Sequence, residues 1–376
     1  MLNAPPRSAY LHVPFCRHRC GYCNFSVVAG REDLVDSYLQ AISKELSQLG
    51  TPRELDTLYF GGGTPSQLSP AELGRLCQLA LKWHPLADDY EWTVEANPAD
   101  VDRERLAVLA SHGVNRISLG AQSFRTDKLR LLERDHQAVD IHKATDLARE
   151  AGMHVAIDLI FAAPEETLLQ WQADLEGALS LQPEHISTYG LTYEKGTTFW
   201  NRLAKNQLAQ LPEELERDMY LAAIDRLTLA DFEHYEVSNF AHPGRRSRHN
   251  EAYWSGRGYF ATGPGAARYV DGIRETNHRS TTTYLQQVLA GHSPVTEREC
   301  LDPVQRAREY LVFSLRRLEG VARDTFQEQT GKTLDELAGK EIAHFVELGM
   351  LADNGKTMRL TRKGLLVSDS LWPELL

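Results

Sequence analysis

Three cysteines, Cys16, Cys20 and Cys23, stand within eight residues of a 376-residue chain that has only five. Thiolates spaced by four and three on a loop leaving a strand can converge on one metal centre. Two chemistries fit. A structural zinc site would need a fourth ligand, and His12 or His18 would have to supply it. Such sites usually pair one Cys-x-x-Cys knuckle with a distant second pair, and the chain has none. A [4Fe–4S] cluster wants four ligands. Three cysteines leave one iron open to a small chelating molecule. The loop follows the first strand of a β/α array, where active sites gather, and this favours the cluster. Cys77 and Cys300 stand alone and read as buried apolar fillers.

Other polar groups fall where the same array would aim them inward. "FGGGTPSQL" follows the second strand, and its glycines let backbone N–H groups come close to a ligand. Glu95 closes the third strand, Gln122 follows the fourth, and Asp158 lies within the fifth. Three such groups on successive strands, above a metal centre, form a candidate site.

The elements that must position them alternate. "AYLHVPF", "LDTLYF", "YEWTVEAN", "VNRISLGAQS", "HVAIDLIF" and "EHISTYGLTY" read as six strands separated by amphipathic helices, such as Arg31 to Gly50. That alternation requires parallel pairing with helical crossovers. Six units predict an α/β fold built on a partial (β/α)6 barrel over residues 1–200. From about Thr197 the alternation stops. Pro212 to Ala230 reads as one helix, followed by strands and glycine-rich loops, an α+β extension over 201–299. Residues 300–376 read as helices plus a hairpin at Asn354-Gly355, a small winged-helix-like domain.

Composition narrows the function. The chain is 42% apolar and 25% charged, ordinary for a globular protein, with a net charge of −11. So acidic a surface repels phosphate backbones, which argues against nucleic acid as a partner. Residues 301–376 hold 11 Lys and Arg against 12 Asp and Glu, so the wing lacks the basic character of a DNA reader. No apolar run reaches the roughly 18 residues needed to span a bilayer, and "MLNAPPRSAY" lacks the core of a signal peptide. The expectation is a cytoplasmic location or a peripheral one at a membrane.

Cys16-x-x-x-Cys20-x-x-Cys23, with Tyr22 before the last cysteine, resembles the signature of radical S-adenosylmethionine (SAM) proteins. The resemblance implies that the open iron binds the amino and carboxylate groups of SAM, and that an electron from the cluster can cleave SAM to a 5′-deoxyadenosyl radical. "YLHVPFC", "GGGTPS", "VEANP", "NRISLGAQSF" and "IDLI" resemble, in order, segments of the anaerobic coproporphyrinogen-III oxidase family. By that likeness Tyr10 lies near the cluster and SAM. Gly62, Gly63 and Thr64 hold the methionyl amino end. Glu95, Gln122, Arg134 and Asp158 line the rest of the pocket. The charges agree: acidic groups suit the sulfonium and amine, an arginine the carboxylate.

Two departures separate the chain from the oxidase itself. Phe25 stands where that enzyme carries a fourth cysteine, and only 15 residues precede Cys16. "HNEAYW", His249 to Trp254, resembles the H-N-x-x-Y-W signature of the haem chaperones of the family, the HemW type. The implied function is to bind haem and transfer it to haem-requiring acceptors such as membrane respiratory enzymes, met transiently, without coproporphyrinogen oxidase activity. The alternative is the oxygen-independent oxidase. A neutral imidazole is a good haem ligand. His249 is the candidate, with His234, His242 and His278 as rivals, Tyr253 and Trp254 as flat surface, and Arg245, Arg246 and Arg248 for the propionates. Ala267 and "FAAPEET" depart from the chaperone pattern at the rim of the SAM pocket.

Overall fold

The computed structural model describes residues 5–376; residues 1–4, the start of the stretch read as lacking a leader, lie outside the described residues. Six strands, β1 (Ser8–Val13), β2 (Leu55–Gly62), β3 (Leu86–Ala96), β4 (Arg116–Gln122), β5 (His154–Phe161) and β6 (His185–Gly190), lie side by side in chain order, every pair parallel. Between them run α1 (Val35–Ser47), α2 (Pro70–Trp83), α3 (Arg103–Ser111), α4 (Thr126–Leu131) with α5 (Ala138–Glu150), and α6 (Leu168–Ser180). The expected β/α alternation is therefore present.

Local sequence explains the crossovers. Ser69 and Glu72 form a reciprocal capping box at the start of α2, with Pro70 as its first residue. Thr167 and Gln170 do the same for α6. Each box satisfies backbone donors the helix cannot satisfy itself. The helices then bury their apolar stripes on the outer face of the strands, as α1 does with Tyr38, Leu39, Ile42 and Leu46.

After β6 come α7 (Thr198–Ala204) and α8 (Glu213–Leu229). The next strands, β7 (Glu233–Glu236) and β8 (Asn239–Ala241), extend the β6 edge antiparallel. A short helix, α9 (Arg248–Trp254), carries the His-Asn-x-x-Tyr-Trp residues. Beyond it β9 (Phe260–Thr262) joins the opposite edge, parallel to β1. One nine-stranded sheet results, in the order β9-β1-β2-β3-β4-β5-β6-β8-β7. The extension thus flanks both edges of the barrel sheet, a placement the strand alternation could not show.

The strands β10 (Ala267–Val270), β11 (Ile273–Asn277) and β12 (Val295–Cys300) form an antiparallel sheet, with α10 (Thr281–Leu289) inserted before β12. The last segment packs α11 (Pro303–Arg316), α12 (Arg323–Thr330) and α13 (Leu334–Glu347) with β13 (Val321–Ala322), β14 (Leu351–Asp353) and β15 (Thr357–Leu360) around a second apolar core containing Leu311, Phe326 and Met358. Asn354-Gly355 turns the β14–β15 hairpin as its sequence predicts. Among the described residues no helix is long and apolar enough to cross a membrane.

One reading needs correction. Cys77 is a buried filler, but Cys300 is exposed, because β12 is the edge strand of its sheet. Arg134 lies in the irregular stretch between α4, which ends at Leu131, and α5.

The "FAAPEET" segment holds a structural group. Glu166 and Asp174 both pair with buried Lys128, the latter at 3.0 Å. Lys128→Met should leave two carboxylates buried without a cation. A destabilisation of about 3–5 kcal/mol follows from breaking a buried pair by removing one partner. Urea denaturation followed by circular dichroism measures it; an unchanged midpoint would remove the triad from the stabilising interactions.

Candidate functional site

Along each barrel strand alternate side chains point inward. From β1 these are Tyr10 and His12; from β2, Tyr59 and the glycine run; from β3, Thr93 and Glu95; from β4, Arg116, Ser118 and Gly120. They enclose a cavity of about 1080 Å³, and Cys16, Cys20, Cys23, Gly62, Gly63, Thr64, Gln122, Arg134, Asp158 and His249 line it too. All twelve residues singled out in the sequence therefore meet in one space. None of the rival histidines, His234, His242 and His278, lines it.

The cysteine loop lies at one end. All three thiols are free. Cys16 lies close enough to feel the charge of the other two, and burial pushes its thiol up to about 12. A cationic iron centre is the kind of partner that lowers such a thiol to a thiolate. Arg134 Nη1 lies 3.7 Å from Cys20 Sγ, and the Cys16 Sγ is 3.5 Å from Thr64 Oγ1. The zinc alternative has no support. Among the described residues no three His, Cys, Asp or Glu side chains group to hold a single ion. Both nitrogens of His12 are engaged, Nδ1 with the Tyr10 hydroxyl at 3.0 Å and Nε2 with the Ser26 carbonyl at 2.8 Å. Phe25, in the fourth-cysteine position, is 63% exposed at the cavity mouth.

The glycine run meets the cysteine loop backbone to backbone. Gly63 N–H donates to Val13 O and Thr64 N–H to Phe15 O, both at 2.8 Å. A Cβ on Gly63 would come within 2.7 Å of that Val13 oxygen. At Gly62, φ is +105° and a Cβ would fall 2.2 Å from the His12 ring. Only glycine fits both demands.

Glu95 closes the inner wall. Its carboxylate accepts from Tyr59 Oη at 2.8 Å and from Gly62 N–H at 2.9 Å. Burial outweighs those bonds and pushes Glu95 up to about 7, with Asp158 repelling it further. Asp158, which accepts from Ser118 Oγ at 3.1 Å, is raised by burial as well. Both carboxylates are raised by burial, and among the described residues no cation pairs directly with either. Arg134 has the opposite deficit. Its Nη2 donates to Gly120 O at 3.0 Å, but its Nε is buried with no acceptor. An amine and sulfonium beside the acids, and a carboxylate beside Arg134, would complete all three. The residues present thus fit a [4Fe–4S] cluster and SAM.

The His-Asn-x-x-Tyr-Trp helix lies at the other end. His249 is 2% exposed, stacked on Tyr59 with ring centroids 5.0 Å apart. Its Nδ1 meets Thr57 Oγ1 and its Nε2 the Tyr253 hydroxyl, each at 2.9 Å. Burial lowers the imidazole to about 3, so it is neutral. The arginines beside it do not face the cavity. Arg245 meets His154, Arg246 meets Glu233 and Glu251, and Arg248 meets Asp89. The expectation that they serve propionates at this site is therefore corrected: each already serves a partner outside. Sequence reading missed Tyr59, Arg116 and His185, which all line the cavity, and weighed His12 only as a zinc ligand. Strand alternation, counted from Glu95 and Asp158 across the array, is the signal that finds them.

A barrel of six parallel strands with a three-thiol loop at its mouth defines the radical SAM class, and residues 10–176 match the Radical SAM superfamily. Residues 301–367 match the HemN C-terminal domain. The heme chaperone HemW of Bacillus subtilis is 34% identical over 97% of this chain and 98% of its own length. That of Escherichia coli is 32% identical over 99% and 98%. The mitochondrial radical S-adenosyl methionine domain-containing protein 1 of Danio rerio is 33% identical over 100% and 88%. The chain belongs to the HemW heme chaperone family within the radical SAM superfamily. That membership implies a [4Fe–4S] cluster and SAM. The solved coproporphyrinogen III oxidase (HemN) of E. coli shares the fold with a TM-score of 0.87, at 22% identity over 99% of this chain and 90% of that one.

A Glu95 that pairs with the cationic end of SAM would make SAM binding depend on pH. Its ordinary carboxyl range lies near 4.5 and burial holds it near 7. Below that value it is protonated and must lose its proton to pair with the sulfonium cation. SAM affinity is expected to be flat above pH 8 and to fall toward about tenfold per unit as pH drops below 7. Calorimetric titration of the cluster-loaded protein measures this, and Glu95→Gln should abolish the slope.

Proposed function

We propose that this chain binds haem and hands it to haem-requiring acceptor proteins, membrane respiratory enzymes among them, in transient encounters. Cys16, Cys20 and Cys23 are the cluster ligands in this reading. Tyr10, Gly62, Gly63, Thr64, Glu95, Gln122, Arg134 and Asp158 form the SAM pocket. Bound together, cluster and SAM supply one-electron chemistry at the sulfonium. The residues themselves hold SAM by charge and keep water from it.

The observation that carries the proposal is the helix α9. It brings a neutral, buried imidazole into the same cavity as the cysteines, in a chain that matches proteins named heme chaperone over nearly its whole length. Iron needs the lone pair of one ring nitrogen while the other is held by a hydrogen bond. If Nδ1–H donates to Thr57 Oγ1, the Nε2 lone pair accepts from the Tyr253 hydroxyl. That is the tautomer a metal takes, and the phenol is the group the iron must displace. Phe25, unable to ligate iron, is a further reason to favour the chaperone reading over the oxidase.

His249→Ala should weaken haem binding and alter the Soret band, measured by anaerobic haem titration. Tyr253→Phe removes the competing donor. It should leave the Soret position in place and tighten binding about threefold to tenfold, the worth of one hydrogen bond. Spectra and affinities identical to wild type in His249→Ala would exclude His249 as the ligand.

A further inference from the structure

The far floor of the cavity holds donors that neither SAM nor the cluster uses. Arg116 opens β4, and Gly120, whose carbonyl Arg134 binds, comes four residues later. At strand rise this separates the two arginines' anchor points by about 13 Å. Arg134 therefore serves the cysteine end and Arg116 the opposite one.

Arg116 is 6% exposed and lines the cavity. Its ion-pair partner is Glu91, at 3.4 Å through Nη1. Glu91 is already occupied, accepting the backbone N–H groups of Arg248 and His249 at 3.1 Å each. So long a contact with so engaged a carboxylate leaves most of the five guanidinium donors free.

His185 adds a second donor. The Tyr235 hydroxyl accepts from Ser247 N–H at 3.2 Å, and among the described residues the acceptor its own proton can reach is His185 Nε2, 2.8 Å away, which sets that bond as Tyr235 O–H to Nε2. That bond makes Nε2 the acceptor of a neutral ring and places the ring proton on Nδ1. His185 Nδ1 is buried, without a partner, in a side chain 2% exposed that lines the cavity. Thr93 supplies a third. It pairs in register with Arg116, lines the cavity, and its Oγ1 is buried with no partner. On β5, which lies between the two strands, the register partner of His185 is the small Ala156.

We infer that Arg116, His185 and Thr93 form a carboxylate-binding site at the cavity floor, which receives a carboxylate of the molecule that shares the cavity with SAM. A planar monoanion matches the guanidinium fork. A phosphate dianion would meet repulsion from Asp158 and Glu95 on the same walls. The carboxylate has two sources: a propionate arm of haem, which rests on the haem-carrying reading, or a free small carboxylic acid.

The test uses the cluster-loaded protein with SAM bound. Because removing Arg116 alone strands Glu91, the variant is Arg116→Gln with Glu91→Gln, which leaves a neutral pair; Thr93→Val is the second, and it breaks no protein bond. Sodium propionate at tens of millimolar should raise the thermal midpoint of wild type and not of the double variant. An equal response in both, or none in wild type, overturns the site. Haemin and haemin dimethyl ester then identify the source. Haemin affinity should fall at least tenfold in the double variant and about twofold to tenfold in Thr93→Val, while the ester binds all three alike. If propionate discriminates but haemin does not, the site stands for a free acid. If haemin fails to bind wild type, the haem reading falls and the propionate result still decides the floor. SAM affinity within twofold of wild type certifies that each variant is folded.

Discussion

The parallel ladder between β1 and β2 does not stop where the strands do. It runs on through Gly63 N–H to Val13 O and Thr64 N–H to Phe15 O. These two bonds tie the loop of thiols to the loop of glycines before any ligand is present. Backbone-to-backbone contact of that kind leaves no room for a Cβ at Gly63, and the turn at Gly62 leaves none beside His12. The glycine run is thus first a packing device. Its use as a cradle follows, because the same bare backbone that meets Val13 and Phe15 also turns Gly62 N–H toward Glu95.

From that junction the cavity reads as a set of unfinished electrostatic arrangements. Burial raises Glu95 and Asp158, against the hydrogen bonds to each and the Arg116 charge that acts on Asp158. Arg134 keeps one nitrogen idle at the cysteine end. His185 and Thr93 keep donors idle at the floor. A folded protein rarely leaves so many buried polar atoms unpaired. Glu95, Asp158, Arg134, His185 and Thr93 all line the cavity, while the outer face of the sheet is an ordinary apolar core; the two faces of the same strands serve different ends.

The helix α9 links these regions. Its first-turn amides cap on Glu91, which also holds Arg116. Its histidine stacks on Tyr59, whose hydroxyl fixes Glu95. Its tryptophan faces Phe313 and the Arg316 guanidinium of the last helical segment, the latter 4.4 Å from the ring centroid. One seven-residue helix therefore links the Tyr59–Glu95 wall, the Arg116–Glu91 pair and the C-terminal segment.

Much of this was legible in the chain itself. The β/α alternation fixed the parallel barrel because parallel strands need crossovers. The spacing of Cys16, Cys20 and Cys23 implied a shared centre, and the acids at successive strand ends implied an inward face. Tertiary structure decided the rest. Arg245, Arg246 and Arg248 look like an anion patch in sequence, yet each finds a partner on a distant segment. Cys300 looks like a filler and lies on an edge strand. His249 is one of several candidate histidines in sequence, and the fold buries it among Thr57, Tyr59 and Tyr253. Period and spacing are local properties, so a sequence states them directly. Which charges are spent, and which are left facing the cavity, depends on contacts between residues far apart in the chain, and only the folded structure contains those.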